Sequence, residues 1–358
     1  DLTVISFEKD DRFNALGRQV EGLCGATGIK WLPQRFRTFR PYIDKSIDLA
    51  QMRSAALKVA SSQRFDLVHG RSYPASVAGL AVKRRFGTPL LFDMRGFWPD
   101  QRREGGRWRD GSLIGRSLYR RWKAHEANLV AQADHIVVLT RAAKRELSSW
   151  SGFDDSPVSV IPCCADFDHF DVADVAIRSE ARRRLDIAPD APVLAYLGSL
   201  GTVYMIADHL KLFAALKRRD ARAIALFIGR DSKSSILSIA SQAGVDLASD
   251  DLRTVQTERA EVPFWLAAAD VGTCFITPTY SSTGVSPTKL AEYLACGIPV
   301  IANSSVGDVE TIVRSLGAGH VAPGLGEGSI DAAADAFFSL RSIDRDDLRA
   351  RARRMLDL

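Results

Sequence analysis

The feature that most constrains this chain is an alternation, made twice over, of short continuous apolar runs with amphipathic helical patterns. In the first half the runs are LTVISF, IKWLP, DLVHG, PLLFD, HIVVLT and VSVIP. Between them lie patterns such as DLAQMRSAALKVASSQ, ASVAGLAVKRRFG and RAAKRELSSW. After a polar stretch from Asp166 to Pro189 the series restarts with PVLAYLG, AIALFIG, LRTVQ, DVGTCFI, PVIAN and GHVAP, with ADHLKLFAALKRR, SSILSIASQAG and EVPFWLAAA in its gaps. A strand that is apolar throughout has to be buried on both faces, and a helix between two such strands is the crossover that makes them parallel. Two series predict an α/β protein of two Rossmann-like domains whose parallel sheets face each other across a cleft. The boundaries expected are a first domain over 1–170, a linker over 171–189, a second domain over 190–340 and a C-terminal helix over 341–358. At 358 residues and 46% hydrophobic content there is core material for both.

Several classes fall away at this stage. No apolar run reaches the roughly eighteen residues that a membrane-spanning helix needs. The opening DLTVISFEKDD reads as a strand followed by charges, not as a secretory signal. The five cysteines are odd in number, and Cys163 and Cys164 are adjacent, which is not metal-ligand or C-x-x-C spacing. Reduced thiols in a cytoplasmic protein with no bound metal are the expectation.

Ligands of open parallel sheets sit beyond the carboxyl ends of the strands, so the loops there are where function is sought. YLGSLGTVY (Tyr196 to Tyr204) runs a strand into a glycine turn and then a helix. Gly198 and Gly201, with Ser199 between them, allow close backbone approach; a phosphate site and a plain tight turn both fit, since the run is neither G-x-G-x-x-G nor a Walker motif. At the next strand end, in FIGRDSKSS, Arg230 and Lys233 are either solvated charges or part of an anion site. Val255, in LRTVQ, joins the candidates on the following strand.

GVSPTKLAEYLACGIPVIAN (Gly284 to Asn303) carries the clearest start and stop signals. A polar turn leads into a helix of about eleven residues, closed by Gly297, with Pro299 and a buried strand after it. The first turn leaves backbone amides without intrahelical partners. Lys289 adds positive charge there, and Glu292 follows one turn on, on the same face; an i,i+3 surface pair is the alternative for these two. In the first half, DLVHGRSYP puts His69 and Arg71 at one strand end, and LLFDMRGFWPD puts Asp93, Arg95 and Trp98 at another. Polar groups at consecutive strand ends, opposite an anion site in the other domain, predict a shared active cleft.

The run SPTKLAEYLACGIPVIAN closely resembles the donor-binding motif of family 4 glycosyltransferases of the GT-B fold, in the SP-x-K-L-x-E-Y variant of bacterial enzymes that build cell-surface polysaccharides. ADHIVVLTRAAKREL with VSVIPCCADFDHF is similar to the end of that family's first domain, and LAYLGSL to the start of its second. RAEVPFWLAAADVGTCF resembles its base-binding segment, and FDMRGFWPD resembles the VRDLWPE of relatives that act on lipid-linked acceptors. The similarity covers nearly the whole chain.

The resemblance implies a nucleoside-diphosphate sugar, UDP- or GDP-linked, as donor, and retaining transfer without a metal or other cofactor. Glu292 would hold the ribose hydroxyls. The turn and helix start at Gly284, Val285, Ser286, Pro287 and Thr288 would hold the diphosphate. His69, Arg71, Arg95, Arg230 and Lys289 would be the catalytic side chains, and Gly198, Ser199, Gly201 and Val255 would line the donor. The acceptor implied is a lipid-linked glycan or polysaccharide precursor at the cytoplasmic face of the membrane. The sequence also departs from the family. Gly284 stands where many members have a glutamate, as in others of the SP-x-K type. Ser199 and Tyr204 replace the usual Arg and Lys, leaving Arg230, Lys233 and Lys289 as alternative sources of charge. Arg71 replaces the second histidine of H-x-H. A further strand before Asp1 and longer helices after Leu358 are expected from the family pattern.

The formal net charge is +5 and the isoelectric point about 9.0. From Gln101 to Lys123 there are eight basic and two acidic residues, so the excess is local. With Trp108, Tyr119 and Trp122 interleaved, this stretch reads as a contact for anionic membrane or as a solvated helix face. Nucleic acid is not expected, because no recognised binding module accompanies the patch. A non-catalytic sugar-nucleotide-binding subunit and a nicotinamide oxidoreductase are the other classes; the second is disfavoured because no G-x-G-x-x-G follows a strand.

Overall fold

The computed structural model describes residues 1–37, 43–151, 153, 157–201 and 203–358. Backbone contacts divide the chain into one unit of Asp1–Trp98, Ser117–Val137 and Leu147–Ser159 and another of Pro99–Arg116, Val138–Glu146 and Val160–Leu358. The strands of the first half are β1 (Thr3–Glu8), β2 (Lys30–Arg35), β3 (Val68–Arg71), β4 (Leu90–Asp93), β5 (His135–Val138) and β6 (Val158–Val160). Its helices are α1 (Asp10–Ala26), α2 (Ile43–Ser62), α3 (Ser72–Phe86), α4 (Trp98–Glu104), α5 (Leu113–Gln132) and α6 (Arg141–Ser148). Every apolar run singled out in the sequence is a strand. They form two sheets: β1 and β2 pair only with each other, and the remaining four run in the order β3-β4-β5-β6. Close packing of α3 depends on small residues. A Cβ on Gly70 would lie 2.6 Å from the Ser76 Cα, and one on Gly79 would lie 2.8 Å from a Leu90 methyl.

The second half contributes α7 (Val175–Arg184), β7 (Val193–Leu197), α8 (Ile206–Arg219), β8 (Ile224–Gly229), α9 (Lys233–Gln242), β9 (Leu252–Gln256) and α10 (Val262–Leu266). It continues with β10 (Val271–Cys274), α11 (Thr288–Ala295), β11 (Val300–Asn303), α12 (Val309–Ser315), β12 (Gly319–Ala322), α13 (Glu327–Leu340) and α14 (Arg345–Leu356). Its six strands are parallel and ordered β12-β11-β10-β7-β8-β9. The chain moves outward from β7 to β9, then returns to build β10 to β12 on the other side. The order therefore reverses between β7 and β10, and a crevice opens beyond their carboxyl ends at such a switch point.

The polar stretch after Asp166 contains α7, which is anchored rather than loose. Arg178 and Arg182 donate to the buried carboxylate of Asp270 at 2.6 and 3.1 Å, and the Val193 amide donates to the same group at 2.8 Å. Helix α11 ends as its sequence predicts. Gly297 takes a left-handed φ of 63°, the Ile298 amide bonds back to the Tyr293 carbonyl and the Gly297 amide to that of Leu294. Any side chain at Gly297 would meet the Arg345 carbonyl at 2.4 Å, so this glycine also admits α14. Tyr293 lies flat over Gly272 of β10, where a Cβ would come within 2.7 Å of its ring. Seven of the eight helical residues of α11 are consequently buried, Lys289 and Glu292 among them.

Candidate functional site

At the switch point of the six-stranded sheet the structure gathers Gly198, Tyr196, Tyr204, Lys289 and Glu292. Gly198 follows β7 with φ of 113°, a conformation open to glycine, and its amide donates to the Ile228 carbonyl at 2.8 Å. A Cβ on Gly229 would come within 2.4 Å of the Gly198 carbonyl, so both glycines are needed for these two strand ends to meet. Lys289 reaches across from the first turn of α11. Its Nζ lies 3.9 Å from the centre of the Tyr196 ring and 3.7 Å from that of Tyr204, a cation held between two aromatic faces. The residue is 5% exposed, and among the described residues its Nζ has no hydrogen-bond partner. Burial pushes its pKa down to about 8, partly offset by the Cys274 thiol and the Glu292 carboxylate. Gly198 lies directly beside this ammonium: a Cβ there would sit 3.5 Å from the Nζ, in ordinary contact. Beneath it His209, also buried, bonds Thr273 through Nδ1 at 2.5 Å; burial, and then Lys289, push its pKa down to about 3, so it is neutral.

The first turn of α11 is uncapped by any side chain, so its amides add partial positive charge near the same lysine. Ser286, immediately before it, is held by accepting the Cys163 amide on Oγ at 3.0 Å. Glu292 is 8% exposed and accepts from Arg259 Nη1 at 2.8 Å; its other oxygen has no hydrogen-bond partner among the described residues. A buried cation without an acceptor, a helix start and a buried carboxylate with a spare oxygen bring together the chemistry that an anion carrying hydroxyl groups requires.

In the first unit, His69 and Arg71 project from one face of β3, and Asp93 ends β4 beside them in register with Arg71. Asp93 Oδ2 lies 3.6 Å from His69 Nε2 and 3.9 Å from Arg71 Nε, while its buried Oδ1 has no hydrogen-bond partner among the described residues. Arg95 is exposed two residues on, with a left-handed φ of 57°.

With this geometry in place, comparison with known proteins is decisive. The model of the family described as glycosyl transferases group 1 matches residues 177–355, and the model of glycosyltransferase family 4 matches residues 1–169. The chain belongs to this glycosyltransferase family. Curated relatives include D-inositol 3-phosphate glycosyltransferases from Actinosynnema mirum, 28% identical over 72% of this chain, and from Nocardia farcinica, 26% identical over 73% of it. This glycosyltransferase-family chain spans 61% and 56% of those two relatives' lengths. Among solved structures, sucrose-phosphate synthase from Thermosynechococcus elongatus matches with a TM-score of 0.72 at 15% identity, covering 100% of this chain and 95% of that one. Anabaena HepE in complex with UDP and glucose matches with a TM-score of 0.68 at 12% identity, covering 100% and 96%. The fold is GT-B.

Other residues singled out in the family-like sequence fall as follows. Gly201 and Ser199 lie on the β7 turn, where Ser199 offers its carbonyl to the Tyr196 hydroxyl at 2.7 Å; Thr202, within the same quoted run, is outside the described residues. Gly284 closes a buried 3-10 turn, Val285 packs on the core, Pro287 precedes α11 and Thr288 is its exposed first residue. Lys289 and Glu292 are not a surface pair, because both are buried and Glu292 pairs with Arg259 instead. Val255 points into the core beneath the sheet and presents no side chain to the site. Arg230 is not brought to Lys289; its side chain is 78% exposed and faces Glu258 at 3.8 Å. Sequence reasoning missed Arg259, Tyr196 and the orienting position of Asp93. Arg259 opens the RAEVPFWL segment, but only its reach to Glu292, 33 residues on, distinguishes it from a solvated charge.

The basic segment also differs from expectation. Trp108 is buried, and Trp122 is half-buried with its ring 4.8 Å from that of Trp98, so these aromatics pack inward. Arg103 is paired with Asp110, and Lys123 with Glu126. At the start of α5, Leu113, Ile114, Arg116, Arg120 and Arg121 are exposed, as are Arg107 and Arg109 before it. No described helix is long and apolar enough to cross a membrane.

Proposed function

We propose that this chain transfers a sugar, with retention of configuration, from a UDP- or GDP-linked donor to a lipid-linked or polysaccharide-precursor acceptor. The observation that carries the proposal is the buried Lys289 ammonium without a hydrogen-bond acceptor, beside a helix start and a glycine turn at the sheet's switch point. A diphosphate supplies the missing acceptor. As the glycosidic bond breaks through an oxocarbenium-like state, negative charge grows on the departing phosphate, and a fixed cation and oriented amides stabilise it without reorganising. Glu292 accepts the ribose hydroxyls on its spare oxygen, with Arg259 holding the other oxygen in place. His69 and Arg71, oriented by Asp93, together with Arg95, are the proposed contacts for sugar hydroxyls in the first unit. The UDP and glucose in the Anabaena HepE structure support this donor class.

The exposed start of α5 is proposed to rest on an anionic cytoplasmic membrane face, with Leu113 and Ile114 entering the interface and Arg116, Arg120 and Arg121 meeting lipid phosphates. Changing the three arginines to Glu is expected to abolish sedimentation with anionic liposomes and leave nucleotide binding intact. A second reading, a sugar-nucleotide-binding subunit without activity, is motivated by Gly284 and Ser199 at positions where many relatives carry charge. Mass spectrometry of lipid-linked acceptors incubated with a panel of nucleotide sugars separates the two. Transfer predicts an acceptor mass gain of one sugar with release of UDP or GDP; tight nucleotide binding without any mass gain selects the second reading.

A further inference from the structure

A groove among α2, α3 and α5, within the first unit, is not used by anything described above. Its volume is about 770 Å³, within the range of small-molecule sites. Its floor is apolar, formed by Leu57, Leu80 and Leu129, with Phe86 exposed at the rim. Around that floor stand Arg53 and Lys58 from α2 and Arg84 and Arg85 from α3, and among the described residues no carboxylate lines the groove. Arg84 is held in place by neutral groups only, donating to the Gln132 and Asn128 side-chain oxygens at 3.1 and 3.2 Å. Lys83, one residue earlier, shows the contrast: it is paired with Asp134 at 2.7 Å and does not line the groove. Four cations line one groove, without a counter-charge among its described lining residues, over an apolar surface that a hydrated anion alone would not cover.

We infer that this groove binds one anionic phospholipid molecule, its phosphate among Arg53, Lys58, Arg84 and Arg85 and part of its hydrocarbon chain on the Leu57, Leu80 and Leu129 floor. The residues differ from those of the nucleotide site and from the exposed start of α5. The inference therefore stands apart from the proposed activity and membrane contact. A soluble monomer distinguishes a groove from a surface patch, since the patch needs an extended bilayer.

The test is calorimetric titration of the protein with a short-chain phosphatidic acid below its micelle-forming concentration. Inorganic phosphate and octyl glucoside serve as the head-only and chain-only probes. Wild type is expected to bind the lipid saturably at one site, at least about tenfold more tightly than either partial probe. The triple variant Arg53→Gln, Lys58→Gln, Arg85→Gln and the floor-filling Ala81→Trp should each weaken it by about tenfold or more, with circular dichroism and thermal unfolding reporting that the first unit is still folded. No saturable binding by wild type, equal affinity for inorganic phosphate or for octyl glucoside, or unchanged affinity in the triple variant would each overturn the assignment.

Discussion

Replacing Lys289 by Met should make the protein more stable and less able to bind a diphosphate. The fall of the lysine pKa from 10.5 to about 8 corresponds to about 3 kcal/mol of penalty for keeping the charge buried. The sign follows from proton counting. Between pH 8 and 10.5 the unfolded chain binds the proton and the folded chain does not, so stability rises with pH across that window, and below about pH 8 the whole penalty is present. Methionine keeps the length and removes the charge; it also gives up the attraction of two tyrosine rings, about 0.5–2 kcal/mol each. A net gain of up to about 2 kcal/mol at pH 7 is expected once the two lost ring contacts are subtracted, or about 2–4 °C in Tm per kcal/mol for a domain of 150–250 residues. Affinity for UDP or GDP should fall by about ten- to 150-fold, the worth of a charge-assisted hydrogen bond, while affinity for the bare nucleoside stays unchanged. Calorimetry for binding and differential scanning for stability measure both. A lower Tm with equal losses for nucleoside and diphosphate would refute the reasoning, since Lys289 would then be a structural cation.

Glu292→Gln should weaken nucleotide binding by about ten- to 150-fold in calorimetric titration while barely moving the Tm, because its hydroxyl-accepting charge is lost and its shape kept. Arg230→Ala should lower UDP or GDP affinity far less than Lys289→Met in the same titration, since its exposed guanidinium faces Glu258 and solvent. Asp270→Asn should cost about 3–5 kcal/mol in denaturant unfolding, because it strips the counter-charge from Arg182, which is 2% exposed, and weakens the hold of Arg178 and Arg341. Its nucleotide affinity should be unchanged.

The elements were legible because their signals are local. Gly297 announces the end of α11 through its own backbone preference, and VLAYL and IALFI are strands because nothing in them tolerates solvent. Lys289 and Glu292 were legible as a shared face because helical spacing fixes it. Their surroundings were not. A lysine in a first turn usually points to water, and its burial depends on Tyr196, supplied by a strand more than ninety residues earlier. Glu292 finds Arg259 through the same long-range packing. The basic segment differs from its composition for another reason: composition carries no helical phase. On α5, Trp122, Glu126 and Leu129 turn inward together, and the cations left outside neighbour Leu113 and Ile114 instead. Nor does local pattern indicate that β1 and β2 form their own sheet, since each run fits a parallel strand of either.

The central claim, that a diphosphate answers the buried charge of Lys289, is tested most directly by counting protons on UDP or GDP binding. At pH 8.5 a lysine of pKa about 8 is mostly deprotonated in the free protein, and a diphosphate against it should restore the proton. Titration in buffers of differing ionisation enthalpy should therefore give an uptake of about 0.7 proton per nucleotide at pH 8.5, falling toward zero at pH 7 and absent in Lys289→Met. No uptake in the wild type, or the same uptake in the variant, would place the diphosphate elsewhere and contradict the account.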